Sequence, residues 1–280
     1  MSRRLFSGMP AWLGLLALLW SGFGGAAPKA ELWAFWSAQD AQSEQVVDHD
    51  AWSALLGRYV HASATGANRF DYAGVTSEDR SRLDGYVDAL AELDPRGLNR
   101  AEQKAYWINL YNAFTVQPIL PAYPVSSIPQ IKSGLFSAGP WKKEVVRVAG
   151  ESLTLNDIEH RILRPIWADP LIHYGVNCAS IGCPDLITTA YTGARVDAQL
   201  ADNARAYVND ARGADLRGDR LVVSSIYIWF QADFGGSDAG VIQHLRRYAS
   251  DGLRDQLDGI TAIADDHYDW SLNGATGRAP

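Results

Sequence analysis

Cysteine is nearly absent: the 280 residues hold only Cys178 and Cys183. That excludes a small disulfide-rich scaffold, which needs several bridges to make up for a small core. In an oxidising compartment so close a pair invites a disulfide, but one closing a very small loop and adding less stability than a long-range bridge. Basic charge is also short, with 25 Lys and Arg against 32 Asp and Glu and a net charge of −7. Without a basic stripe, no nucleic acid partner is expected. Charged residues make up only 20% and hydrophobic residues 47%, which supports a folded core and argues against disorder. Past the first thirty residues no apolar run is long enough to cross a bilayer, so no stable membrane span is expected in the mature chain.

What is present begins at the N-terminus. Arg3 and Arg4 precede the apolar run Pro10 to Trp20, which ends in Gly24, Gly25, Ala26 and Ala27. A basic tip, a short apolar stretch and a small-residue exit read as a secretory signal peptide. The run is shorter than the ~20 residues of a spanning helix. Cleavage after Ala26 fits best, because Pro28 then does not directly follow the scissile bond. Removing Arg3 and Arg4 takes the net charge to −9. A periplasmic or secreted location follows. The organisation expected is a signal peptide over 1–26, a flexible segment over 27–49, one domain over 50–273 and a tail over 274–280.

Within the domain, apolar spacing predicts a helix from Ala51 to Val60, capped by Asp50, and another from Ser77 to Leu93. Asn99 with Glu102 forms a capping pair for a helix running to about Gln117. Its face sets Trp107, Leu110, Tyr111 and Phe114 beside Asn109 and Asn112. Aromatic stripes of this kind are usually core, but buried amides must find partners. Residues 121–141 read as a surface loop. Hairpins are expected around Ala149-Gly150 and Gly218-Asp219. Asn156 and Glu159 suggest a second capping box for Asp157–Arg164. Leu171 to Asn177 reads as a buried strand ending at Cys178. Helices follow at Val196–Asp210, Ile226–Ala232 and Val241–Tyr248, then a strand at Ile260–Ala264. No internal repeat or regular βαβ alternation is present, so the fold class is α+β: a single domain of mixed helices and short antiparallel hairpins.

Four segments carry a family likeness. They are Tyr106 to Ala113 (YWINLYNA), Leu155 to Arg164 (LNDIEHRILR), His173 to Pro184 (HYGVNCASIGCP) and Tyr268 to Asn273 (YDWSLN), supported by Trp229 to Gly235. Together they resemble the domain of unknown function 547 family, whose members include secreted bacterial proteins and plant proteins, over roughly residues 50 to 273. The resemblance brings no established activity. It singles out Cys178, because in plant members the position of Cys183 can hold Ser, which leaves open whether a Cys178–Cys183 bridge is required.

A thiol at a strand-to-helix turn would point into backbone amides that favour its thiolate and bind an oxyanion. A thiol among apolar side chains would be inert. The candidate partners of Cys178 are His160, in the second motif, and His173. A strand would put His173 and Cys178 on opposite faces, which favours His160. Glu159 points away from its helical neighbour His160, so its capping role is the plainer reading. Asn109, Asn112 or Asp269 are candidates to orient the imidazole. His49, His61, His244 and His267 read as surface residues. Zinc held by Cys178, Cys183, His160 and His173 is set aside because the C-x4-C spacing is not the tight one of structural sites. No cofactor is expected.

The leading expectation is a secreted thiol-dependent hydrolase or acyl-transferase acting on a peptide or small-molecule substrate, with a Cys nucleophile and a His base. By residue types alone it resembles papain-like or transglutaminase-like enzymes. The alternatives are a noncatalytic binding or scaffold module, which could use Trp229, Phe230, Phe234 and Trp270 as an aromatic surface, and a thiol–disulfide redox protein using Cys178 and Cys183.

Overall fold

The chain is α+β, and a computed structural model describes residues 28–131 and 146–275. The signal peptide assigned to 1–26, the stretch 132–145 of the expected loop and hairpin, and 276–280 of the tail lie outside the described residues.

Helix α1 (Asp50–Tyr59) buries Trp52, Leu55, Leu56 and Tyr59, and α2 (Ser77–Glu92) buries Leu83, Tyr86, Val87 and Leu90. Asp50 is the first helical residue and not the cap; Asp48 Oδ1 accepts its N–H at 2.8 Å. Two short strands, β1 (Val60–His61) and β2 (Arg69–Phe70), pair antiparallel between these helices. Helix α3 (Arg100–Val116) starts as expected, with Asn99 Oδ1 accepting from the N–H groups of Ala101 and Glu102. Every residue of it from Glu102 to Val116 is buried, so it is the central helix of the larger core and not a surface amphipath. The Glu102 carboxylate does not return to its cap but accepts the N–H of Val47.

That bond belongs to a wider departure from the reading of 27–49 as flexible. Trp36 is buried against Trp107, with ring centroids 5.0 Å apart. The N–H groups of Glu31 and Trp33 donate to the carbonyls of His160 and Arg161. Aromatic residues at this density dock once a central helix offers them a surface.

A short α4 (Ile119–Ala122) leads into the loop. The hairpin of β3 (Val146–Val148) and β4 (Glu151–Leu153) turns through Ala149 and Gly150, both at positive φ (46° and 87°), as a type I′ turn requires. Next comes a wide helical stretch, the π-helix Asp157–Leu163, which continues as α5 (Arg164–Trp167). Its cap is not the expected one. Thr154 Oγ1 accepts from the N–H of Asp157 at 3.1 Å while Asp157 Oδ2 accepts from the N–H of Thr154 at 3.0 Å. Asn156 makes no capping bond. With Thr154 and Asp157 forming the box, Glu159 is free for another role.

Leu171–Asn177 is not a strand. Asp169 accepts from the N–H of Leu171 and the chain forms the short helix α6 (Ile172–Gly175). A brief apolar run cannot be told from a buried strand by periodicity, and the Asp-Pro start decides for a helical turn. Helix α7 (Val196–Val208) leads to β5 (Ala214–Arg217) and β6 (Arg220–Ser224), which form the second predicted hairpin. Helices α8 (Ser225–Trp229), α9 (Asp238–Tyr248) and α10 (Asp251–Gln256) follow. The last strand, β7, is Asp265–His267 and not Ile260–Ala264, and it joins β6 in parallel. Ile260 and Ile263 pack on a second, smaller core of Tyr174, Tyr207, Val223, Tyr227, Phe234 and Leu245. Among the described residues no helix is long and apolar enough to cross a membrane.

Candidate functional site

The motif segments meet along the seam between the two cores. The loop after α6 carries Cys178 and Cys183, joined by a disulfide with Cα atoms 6.3 Å apart. Asn177 Oδ1 accepts from the N–H of Ala179, which adopts a left-handed turn at φ 59°. The loop then runs antiparallel to the C-terminal motif. Ile181 and Gly182 donate to the carbonyls of Ser271 and Asp269, and Asn273 donates to that of Ala179. Gly182 is required here: a Cβ would stand 2.8 Å from the Tyr268 ring.

This pairing brings Tyr268, 90 residues away in sequence, onto the disulfide. Its hydroxyl lies 2.9 Å from Cys178 Sγ, 3.1 Å from Cys183 Sγ and 2.7 Å from Ser180 Oγ, while Ser180 Oγ is 3.1 Å from Cys178 Sγ. The Cys178 N–H donates to Cys183 Sγ at 3.0 Å. Disulfide sulfurs carry no hydrogen, so the hydroxyls are the donors. Enclosure of its hydroxyl end pushes the Tyr268 pKa well above the usual range, which keeps it protonated. Cys178 is partly exposed, whereas Cys183 is buried.

The two candidate bases are elsewhere engaged. His160 is buried, and its Nδ1 faces Arg164 Nη1 at 3.1 Å. A guanidinium only donates, so Nδ1 accepts and the ring is neutral, consistent with a pKa lowered chiefly by burial. His173 Nε2 lies 2.7 Å from Asp233 Oδ2, the same oxygen that accepts from Arg164 Nε at 2.7 Å. Burial alone would raise the Asp233 pKa, but the bonds from His173 and Arg164 hold it well below the usual carboxylate range. Glu159 lies 3.7 Å from His160 Nδ1 and accepts from the buried Tyr111 hydroxyl at 3.0 Å. Among the described residues, the hydrogen-bond partners of Cys178 Sγ are hydroxyls and not imidazoles.

The expected orienting amides are likewise committed. Asn109 bonds both the carbonyl and the N–H of Tyr191, at 2.7 and 3.0 Å. Asn112 bonds the carbonyl of Gly175 and the N–H of Asn177, at 2.9 and 2.8 Å. Both pin the loops around the site and touch no imidazole. Asp269 is exposed, and its side chain accepts from the N–H of Ser271. His61 and His267 are exposed, but His49 is buried and His244 half-buried. His49 Nδ1 meets the Tyr86 hydroxyl at 2.7 Å, and His244 Nε2 meets that of Tyr174 at 2.8 Å.

Aromatic rings join the two halves of the seam. Phe230 stacks on His173 at 4.5 Å, and its neighbour Trp229 packs on Tyr268 at 4.9 Å. Arg164, Asp233, Ser180 and Tyr268 are the residues that sequence reasoning passed over. Each lies inside a quoted motif segment, so the signal was present. What the sequence did not carry was the pairing across 60 to 90 residues. Among the described residues no group of three or more His, Cys, Asp or Glu is placed to hold a metal.

Residues 95–208 match the model of a family described as "Protein of unknown function, DUF547", the family that the motifs resemble. The match spans α3, the π-helix and the cysteine loop, and ends with α7. No curated protein and no solved structure matches the chain.

Proposed function

We propose that the chain is an exported thiol–disulfide exchange protein in which Cys178 is the exchanging sulfur and Cys183 the leaving and resolving one. The observation that supports this most is the pair of donors on Cys183 Sγ, the Cys178 N–H and the Tyr268 hydroxyl. Exchange runs faster as the leaving sulfur is better stabilised as thiolate, and both donors act on that charge. A partner thiolate attacks the partly exposed Cys178 Sγ. The bond between the cysteines breaks, a mixed disulfide forms and the electron pair leaves on Cys183. A second thiolate of the partner then attacks its own sulfur in the mixed disulfide and releases Cys178. The partner gains a disulfide and the chain becomes a dithiol; a disulfide-bearing partner restores it by the reverse steps.

The test uses oxidised glutathione as the partner. Reduced C183S treated with oxidised glutathione is expected to hold a mixed disulfide at Cys178 that mass spectrometry detects, because no resolving thiol remains. Wild type should resolve it. A native protein whose disulfide survives excess dithiothreitol for hours at neutral pH would overturn the proposal.

The thiol hydrolase is the second reading. Its support is the aromatic bridge that runs from His160 and His173 through Phe230 and its neighbour Trp229 to Tyr268 on the disulfide. It requires prior reduction of Cys178 and release of an imidazole from Arg164 or Asp233. Labelling of reduced Cys178 by an acyl electrophile that depends on His160 would favour it.

A further inference from the structure

We infer that Trp229, Trp270 and Tyr268 form the docking platform for a cationic, cysteine-bearing polypeptide segment presented to the disulfide. This inference rests on the exchange reading above and names the substrate class for that site. Trp229 and Trp270 are stacked, with centroids 5.6 Å apart and planes 27° from parallel, and both pack on Tyr268 at 4.9 and 4.6 Å. Exposed large apolar side chains are scarce among the described residues. Of the five, Ile228, Trp229 and Trp270 sit on these two segments. Tyr268 carries the platform to the chemistry, because the ring that underlies both indoles bears the hydroxyl that touches both sulfurs. A chain lying across the indoles therefore lies beside the sulfur that it would attack.

Charge selects the occupant. Neither segment that builds the platform, 225–240 or 255–273, contains a Lys or Arg. Asp265, Asp266 and Asp269 are exposed on the segment that carries Tyr268 and Trp270. Indole faces bordered by carboxylates attract Arg or Lys through both the ring quadrupole and the Coulomb field. An acidic segment would be repelled from the same place.

The probes are two twelve-residue peptides that each hold one Cys among Leu and either Arg or Glu, with Ser-for-Cys versions to read binding without chemistry. At low ionic strength the Arg peptide is expected to exchange with the disulfide at least about tenfold faster than the Glu peptide, with the gap narrowing as salt screens it. The Ser form of the Arg peptide should bind by fluorescence anisotropy. W229A/W270A should weaken that binding at least about tenfold, D265N/D266N/D269N should remove the charge preference, and W229F/W270F should restore much of the loss. Equal rates for the two peptides, unchanged binding in W229A/W270A, or quenching of the indoles by cellohexaose but by neither peptide would overturn the inference. Charge-selective binding of the Ser peptide with no exchange by any thiol would sink the exchange reading and leave the docking surface standing.

Discussion

Asn109 and Asn112 show how a side chain can carry a motif without doing chemistry. Each is buried and gives both ends of its amide to backbone groups of a distant loop. Replacing either with Ala orphans a buried N–H and a buried carbonyl, a loss of about 1–3 kcal/mol per orphaned group. Urea unfolding of N109A and N112A is expected to show that destabilisation, with little change in the thiol chemistry of whatever protein folds. The sequence made legible that these amides sit in an aromatic stripe and need partners; their partners, 63 to 82 residues away, were not. The histidines show the same limit. Burial lowers the pKa of His49 and of His244 from 6.5 to about 4, so the folded chain excludes protons that the unfolded chain binds. Stability is therefore fully present above pH 6.5 and is lost as the pH falls toward and past 4, by up to ~3 kcal/mol for each group. Unfolding free energies at pH 7 and pH 4.5 should differ accordingly, and H49Q should flatten the profile.

Among the elements, the helices with long apolar periods were readable nearly to the residue, as α1, α2 and α3 show. Where reading failed, two local signals competed. Asn156 and Glu159 have the spacing of a capping box, but Thr154 and Asp157 stand two residues earlier and take the position. T154A is expected to cost about 1 kcal/mol and N156A far less, a contrast that thermal unfolding can measure. The displaced Glu159 then meets Tyr111, and the wide helical turn sets it beside His160. Such π-turns are frequent at functional sites. The run before Cys178 was misread for a different reason: Ile172 and Val176 are as much at home in a strand, and only Asp169 and Pro170 mark the helical start. That change matters for the chemistry, since the cysteine then lies on a loop held by Tyr268 and not at a strand-to-helix elbow.

At the scale of the molecule, the two cores meet where the central helix, the π-helix, the cysteine loop and the C-terminal motif converge. The α+β class and the identity of the motif segments were legible because composition and local pattern determine them. The disulfide was legible only as a possibility, and the donors around it not at all, because they come from the far end of the chain. The exchange reading turns on whether those donors act on Cys183. The most direct measurement is the rate at which dithiothreitol reduces the native disulfide in wild type and in Y268F. Loss of the hydroxyl removes one of the two donors to the leaving sulfur, and with it about 1.5–3 kcal/mol of stabilisation for a charge-bearing acceptor. The predicted result is reduction at least about tenfold slower in Y268F at neutral pH, with circular dichroism unchanged. Equal rates in a folded Y268F, or faster reduction than in wild type, would contradict it.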